Sequence, residues 1–299
     1  MTYGSPSGSD DMPRYLAAVR GGRPAAAEVV AEFRRRYDVI GGSPLIPITQ
    51  AQAAAVEGRL RTEGLDVRAT AGMRFSEPTI GRALRELAVA GCDLVAAIIM
   101  SPQYSRLLMS GYQRELAAAA NELRDGTPET CLAPAWYRHE RFLTAVTDRI
   151  REGLDRLPVD EREHAPVLLT AHSVPRRVAE GEPAYLEQLQ HTAELVAARA
   201  GLAPDRWRFC WQSAGHEPGE WMKPDFADVL PQLRREGYRS VLAAPIQFLS
   251  DHLEVLYDID VGAREQTVRE GLAFARIESL NLHPEFVACL AEVAVDATS

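Results

Sequence analysis

Residues 95–100 and 241–246 are apolar at successive positions, with no polar side chain to turn toward water. A strand of this kind must be covered on both faces, which is the condition of a parallel sheet between layers of helices. The rest of the chain repeats the arrangement. β-rich runs at 67–72, 94–100, 167–171, 207–212, 240–246 and 272–277 alternate with helical patterns. Helices are expected at 12–20, 25–37, 50–62, 80–90, 107–123, 138–154, 185–199, 226–235, 252–269 and 284–293, after a Gly-, Ser- and Pro-rich loop over 1–11. Alternation at these lengths predicts an α/β fold, with parallel sheets flanked by helices.

The pattern also repeats as a whole. Placing Pro78 on Pro224, a shift of 146 residues, puts Leu84 on Leu230, Leu87 on Leu233, Gly91 on Gly237, Val95 on Val241 and Ala97 on Ala243 without a gap. Each copy reads as Pro at a helix start, an apolar stripe, Gly at the C-cap and a buried strand. Any two αβ units share part of this likeness. The gapless register favours two similar Rossmann-like lobes, residues 1–147 and 148–299, with the last helix able to pack back on the first. Ligands of such folds bind at the carboxyl ends of strands, in clefts between lobes.

Charge and cysteines narrow the function. A formal net charge of -9 makes nucleic acid a poor partner, and an anionic ligand would need a local basic patch. Cys92, Cys131, Cys210 and Cys289 form no CxxC pair, which argues against a zinc ribbon or a thioredoxin-type site. No signal peptide opens the sequence and no run of about 18 apolar residues spans a bilayer, so a cytoplasmic protein with reduced thiols and no stable membrane insertion is expected.

Two segments carry candidate chemistry. The run 166–169 is a short apolar strand that delivers His172 to its carboxyl end, where Pro175 stops it. A histidine there serves a site or caps a loop, and position alone does not choose. Further on, Ser250 or Asp251 is a plausible helix N-cap, and Glu254 and Asp258, four apart, share a helix face. Paired carboxylates could hand a divalent cation along that face. They are equally a solvated acidic face that favours the helix N-terminus.

Together these segments resemble the signatures of the ferrochelatase family. Ala171-His172-Ser173-Val174-Pro175 with Gly181-Glu182-Pro183-Ala184-Tyr185 is similar to its histidine motif. Trp211-Gln212-Ser213-Ala214-Gly215 and Glu220-Trp221-Met222-Lys223-Pro224 resemble its glutamine-serine strand and tryptophan turn, and residues 245–254 its second signature. Tyr3-Gly4-Ser5-Pro6, residues 20–24, residues 36–45 and Ser101-Pro102-Gln103-Tyr104-Ser105 resemble the monofunctional Gram-positive and actinobacterial type, the coproporphyrin ferrochelatases.

The resemblance implies a class II chelatase-like fold and insertion of ferrous iron into a porphyrin, coproporphyrin III, in haem biosynthesis. It implies that His172 takes a pyrrole proton or receives the metal, and that Glu254 beside it accepts a proton or holds the ion. Asp258 is then the next carboxylate outward, and Tyr3 faces the metal from the opposite side. The implied metal contacts are therefore His172, Glu254, Asp258 and Tyr3. Arg20, Arg23 and Arg36 would pair with the propionates, while Ser43 and Tyr112 would hydrogen-bond them. No permanent cofactor is implied, because porphyrin and iron are substrates, and the Gram-positive relatives suggest a monomer.

Several positions depart from the family pattern. The first strand, which normally precedes the tyrosine, is all but missing before Tyr3, and loss of a central strand would bare two rows of backbone groups. Phe75 stands where some relatives have histidine, which argues against an accessory metal site. Gly262 replaces an outer carboxylate and shortens the metal path. Only Cys289 lies in the last segment, too few ligands for the iron–sulfur cluster of some relatives, so none is expected. Two alternatives stay open: a porphyrin- or haem-binding homologue without catalysis, and a cobalt chelatase of the same architecture.

Overall fold

The computed structural model describes residues 1–123, 126–215 and 219–299. A 3-10 turn (Ser9–Asp11) leads into α1 (Met12–Val19), α2 (Ala27–Val39), α3 (Leu45–Thr62) and α4 (Ile80–Val89). Then come β1 (Leu94–Ala97), α5 (Arg106–Leu123), β2 (Glu129–Leu132), α6 (Glu140–Leu154), β3 (Val167–His172), α7 (Arg176–Gly181), α8 (Pro183–Arg199) and β4 (Trp207–Gln212). The chain continues through α9 (Phe226–Arg235), β5 (Ser240–Pro245), a π-helix (Glu254–Ala263), α10 (Arg264–Arg269), β6 (Ala273–Arg276) and α11 (Pro284–Asp296). The architecture is the expected α/β one.

The larger sheet is all parallel, in the order β4-β3-β5-β6. Its strands are buried on both faces, as their composition demands. Along β3, Val167 and Leu169 enter a core with Phe142, Val146 and Ile150 of α6 and Val196 of α8. Leu168 points the opposite way, into a second core with Val229, Leu230 and Leu233 of α9 and Ile259 of the π-helix. Successive side chains of a strand alternate faces, so one apolar run serves both cores. α11 closes the fold by packing on α3 and α6.

The internal repeat is real in space. α4 and α9 occupy 80–89 and 226–235, offset by 146 at both ends, and β1 and β5 begin at 94 and 240 with the same offset. The hydrogen bonds repeat as well. Met100 N–H donates to Met1 O (2.9 Å) where Ile246 N–H donates to Thr170 O (3.1 Å). Thr2 bridges Met73 where Ala171 pairs with Trp211. Met1–Tyr3 is therefore the counterpart of the end of β3, and Tyr3 is the counterpart of His172.

Four expectations need correction. Residues 67–72 form no strand, and the pairing there is confined to bridges from Met73 to Thr2 and Thr79. β2 was not expected, because a four-residue run is too short to show a period. α3 starts at Leu45, with Pro47 tolerated in the first turn, where no intrahelical N–H bond is lost. The stretch 252–269 is not one α-helix, since ten of its residues close i→i+5 bonds as a π-helix.

The missing first strand is present as three residues, which pair on both sides. Met1 N–H donates to Ile98 O (2.6 Å) and Thr2 N–H to Gly72 O (3.1 Å), while Arg74 N–H donates to Thr2 O (3.0 Å). Beside Met1 lies a cavity of about 750 Å³ between residues 65–71 and 90–96, floored by Val56 of α3 and Leu290 of α11.

Candidate active site

β3 ends at His172, and the ring is held from several directions. Its main-chain N–H donates to Gln247 Oε1 (2.8 Å), and Nδ1 meets Ser173 O. Nε2 lies 3.5 Å from Glu254 Oε1. Trp221 and Phe248 flank the imidazole, with ring centroids 6.5 and 6.3 Å away. Gly215 makes room for Trp221, since a Cβ there would come within 2.7 Å of the indole.

Glu254 is the first residue of the π-helix. The expected side-chain N-cap from Ser250 or Asp251 does not form. Those side chains anchor the turn instead. Asp251 accepts from Ser279 Oγ and Asn281 Nδ2 (both 2.8 Å), and Gln52 of α3 donates to Ser250 Oγ (3.0 Å). A second imidazole faces the carboxylate: His252 Nε2 lies 3.5 Å from Glu254 Oε2, and its Nδ1 lies 2.9 Å from Ser250 O.

The electrostatics follow from this packing. Burial would lower the pKa of His172, but the adjacent charge of Glu254 and acceptors on both ring nitrogens outweigh it and raise the pKa to about 9. Burial would raise Glu254, but the His172 charge and hydrogen bonds from both imidazoles hold it well below the usual carboxylate range. The pair is still partly open to solvent, with side-chain exposures of 31% and 36%. Near neutral pH it is an imidazolium–carboxylate pair.

Asp258 stands one step outward. Burial raises its pKa, against a hydrogen bond from Ser213. Ser213 adopts φ 56°, a left-handed conformation that side chains other than Gly rarely take outside functional sites. Arg36 Nη1 approaches Asp258 to 3.9 Å, while its Nε bonds Glu32 at 2.8 Å.

Tyr3 is 42% exposed and sets its ring edge-on to Phe75 (4.6 Å). Burial of the phenol raises its pKa, and Arg74 and Glu254 are both close enough to influence it. Arg74 lies over the rings of Phe75 and Tyr112 and pairs with Glu115 (3.0 Å). A Cβ on Gly111 would fall 2.0 Å from that guanidinium, so a larger residue there would push the Arg74 head group aside.

The structure thus brings His172, Glu254, Asp258, Arg36 and Tyr3 into one neighbourhood. Tyr112 is buried behind Tyr3, under Arg74. Arg20 and Arg23 stand apart on an exposed turn, joined by Arg23 Nε donating to Arg20 O (3.2 Å). Ser43 lies in the turn before α3, its Oγ accepting from Leu45 N–H (3.4 Å). Among the described residues, no three His, Cys, Asp or Glu side chains stand as a ready-made metal cage. Ser213 and Trp221 stand in the sequence only as motif residues, and Gln247, Phe248 and His252 only within the 245–254 signature, none with a role of its own. His252 carried a signal, since it lies two residues before Glu254. The contacts of the others run across strands, which spacing within a motif does not show.

The comparisons with known proteins concern the chain as a whole. The model of the family described as Ferrochelatase matches residues 1–298. The chain belongs to the ferrochelatase family. A ferrochelatase of Deinococcus radiodurans is 39% identical over 295 residues, covering 98% of this chain and 93% of that protein. The coproporphyrin III ferrochelatase of Bacillus subtilis is 33% identical over 299 residues, 99% of this chain and 95% of that protein. Among solved structures, SirB from Bacillus subtilis with Fe3+ superposes with a TM-score of 0.61 at 14% identity, over 84% of this chain and 90% of SirB. CbiX, the terminal enzyme for biosynthesis of siroheme in denitrifying bacteria, gives 0.57 at 17% identity, over 86% and 93%. At those identities the likeness is one of fold. It fits a ferrochelatase built from parallel sheets between helices.

Proposed function

We propose that this ferrochelatase-family chain inserts ferrous iron into coproporphyrin III in haem biosynthesis, with His172 and Glu254 as the reacting pair. The observation that carries the reading is their approach, 3.5 Å apart at the carboxyl end of β3 and still partly open to solvent. The reaction exchanges one Fe2+ for the two pyrrole protons of the macrocycle. In the resting pair His172 carries a proton, so it becomes a base only after losing it. An incoming divalent cation repels that proton, which passes to solvent water at the exposed side of the pair, and attracts Glu254, which turns the ion pair into a metal-receiving site. Iron is substrate here, approaching past Asp258. Tyr3 closes the other side of the ring plane and stays a neutral phenol at physiological pH.

Four propionates need cations or donors. Arg20 and Arg23, exposed on one turn, are the cations for them, and Ser43 and Tyr112 the hydroxyl donors in this reading. Arg36 is better placed to steady Asp258 than to leave it. All four cysteines are free thiols, in keeping with a reducing cytoplasm. No helix among the described residues is long and apolar enough to cross a membrane. We assign no permanent cofactor or iron–sulfur cluster and take the monomer as the working form. Anaerobic incubation with ferrous iron and coproporphyrin III should replace the free-base spectrum with that of the metalloporphyrin. His172→Ala should abolish the change, and normal turnover by that variant would refute the assignment.

A further inference from the structure

We infer that Gln247 is a positioning residue for His172, holding it through a side-chain rung that replaces a lost rung of the sheet; this rests on the proposed role of His172. The ladder between β3 and β5 runs in register from Val167–Leu242 to Thr170–Pro245, and its last bond is Ile246 N–H to Thr170 O. In a parallel ladder the next amide facing β5 is that of His172, two residues on. β5 has already ended at Pro245, and the chain turns away at Ile246 and Gln247. Gln247 Oε1 takes the place of the missing carbonyl and accepts the His172 N–H at 2.8 Å. On the opposite edge the next residue stays in the regular pattern, Ser173 N–H donating to Gln212 O (2.7 Å).

The amide of Gln247 is itself fixed. Its Nε2 donates to the hydroxyl of Tyr185 in α8, a side chain only 1% exposed. Tyr185 packs in a core with Ala171, the residue before His172, and with Trp211 of β4. A rigid aromatic on a helix therefore sets a side-chain amide, which sets the backbone of the residue that carries the imidazole. The ring itself is held by Ser173 O at Nδ1 and Glu254 at Nε2, with Phe248 and Trp221 flanking it, whereas the rung holds the backbone that carries it. Without the rung, the strand end can tilt and the imidazole can leave its 3.5 Å approach to Glu254.

Gln247→Met keeps the shape and removes both hydrogen bonds. Gln247→Glu keeps the acceptor for His172 N–H, and the Tyr185 hydroxyl can donate to its other oxygen. The full-length protein, with ferrous iron and coproporphyrin III, gives the readout as kcat separated from KM. Gln247→Met should lower kcat about tenfold or more with KM for the porphyrin nearly unchanged, because a misplacement of under an ångström acts on the reacting geometry. Gln247→Glu should recover most of kcat, and Tyr185→Phe should fall between. A Gln247→Met enzyme that melts earlier yet keeps its kcat would reduce Gln247 to a structural residue, and so would a Glu variant as slow as Met. If Gln247→Met does not fold, Tyr185→Phe decides, and an unchanged kcat there overturns the inference. His172→Ala run alongside separates the readings: activity retained in it defeats the role of His172, whereas activity lost in it and retained in Gln247→Met defeats the positioning alone.

Discussion

Tyr3 and His172 occupy the same place in two copies of one αβ design, yet they bring different chemistry to it. Each follows a short parallel pairing, Thr2 with Met73 and Ala171 with Trp211. One is a phenol whose burial raises its pKa above 10, so it keeps its proton at working pH. The other is an imidazole poised at about 9 by a carboxylate from the adjoining helix. The surroundings differ in the same sense. β3 is embedded between two strands and two cores, whereas Met1–Tyr3 is a three-residue wedge beside a cavity. The group we propose as reacting sits on the strand that is paired on both sides.

The comparison breaks most directly by mutation. His172→Ala should lower kcat about a hundredfold to ten-thousandfold, the range for loss of a positioned acid or base, whereas Tyr3→Phe should cost less than about tenfold. Equal losses in steady-state assays would make the two sites functionally alike. The pH profile sharpens the same point. If the proton-free imidazole is the working form, kcat/KM of the wild type should climb through about pH 9. Glu254→Gln removes the charge that raises His172, so the inflection should move acidward, toward the ordinary imidazole value. An inflection left at its place would sink the pairing.

Stability carries the linked sign. The folded pKa of His172 is raised, so its contribution is full below its unfolded value near 6.5 and is lost as pH rises through about 9. That of Glu254 is lowered, so its contribution is present above its unfolded value and lost as pH falls toward the folded one. The Tm gap between wild type and His172→Ala should therefore narrow from pH 6.5 to 9, as scanning calorimetry would register.

The two sheets should differ in their cores as well. Leu242→Ala in β5, fully buried, should cost about 2–5 kcal/mol, and Val95→Ala in β1 roughly 1–2 kcal/mol. Denaturant midpoints that rank the other way would show that the small sheet is not the weaker half. The smallest effect is expected at Ser213. Ser213→Gly relieves the positive φ and should gain up to about 1 kcal/mol, while losing the hydroxyl that bonds Asp258 and with it some activity. A less stable Gly variant would mean that no strain is stored there.

Legibility followed the range of the forces involved. α9 at Phe226–Arg235 and β4 at Trp207–Gln212 match the sequence reading to the residue, because a Pro at the helix start, a 3.6-residue apolar stripe and β-rich neighbours act within one turn or strand. The π-helix was not legible, since the bonds that distinguish it from an α-helix differ by one residue in reach and are selected by packing. Residues 67–72 look like a strand but have almost nothing to pair with beside the cavity.

By itself the sequence determined the alternation of strands and helices, the repeat at 146 residues and the identity of the imidazole and carboxylates, because periodicity, capping and side-chain chemistry are local properties. Only the tertiary structure decided that His172 and Glu254 meet at 3.5 Å, that His252 faces the same carboxylate, and that Gln247 stands in for a backbone carbonyl. Those contacts join residues up to 82 positions apart, 172 to 254, and only the packing of one strand end against one helix start brings them within reach.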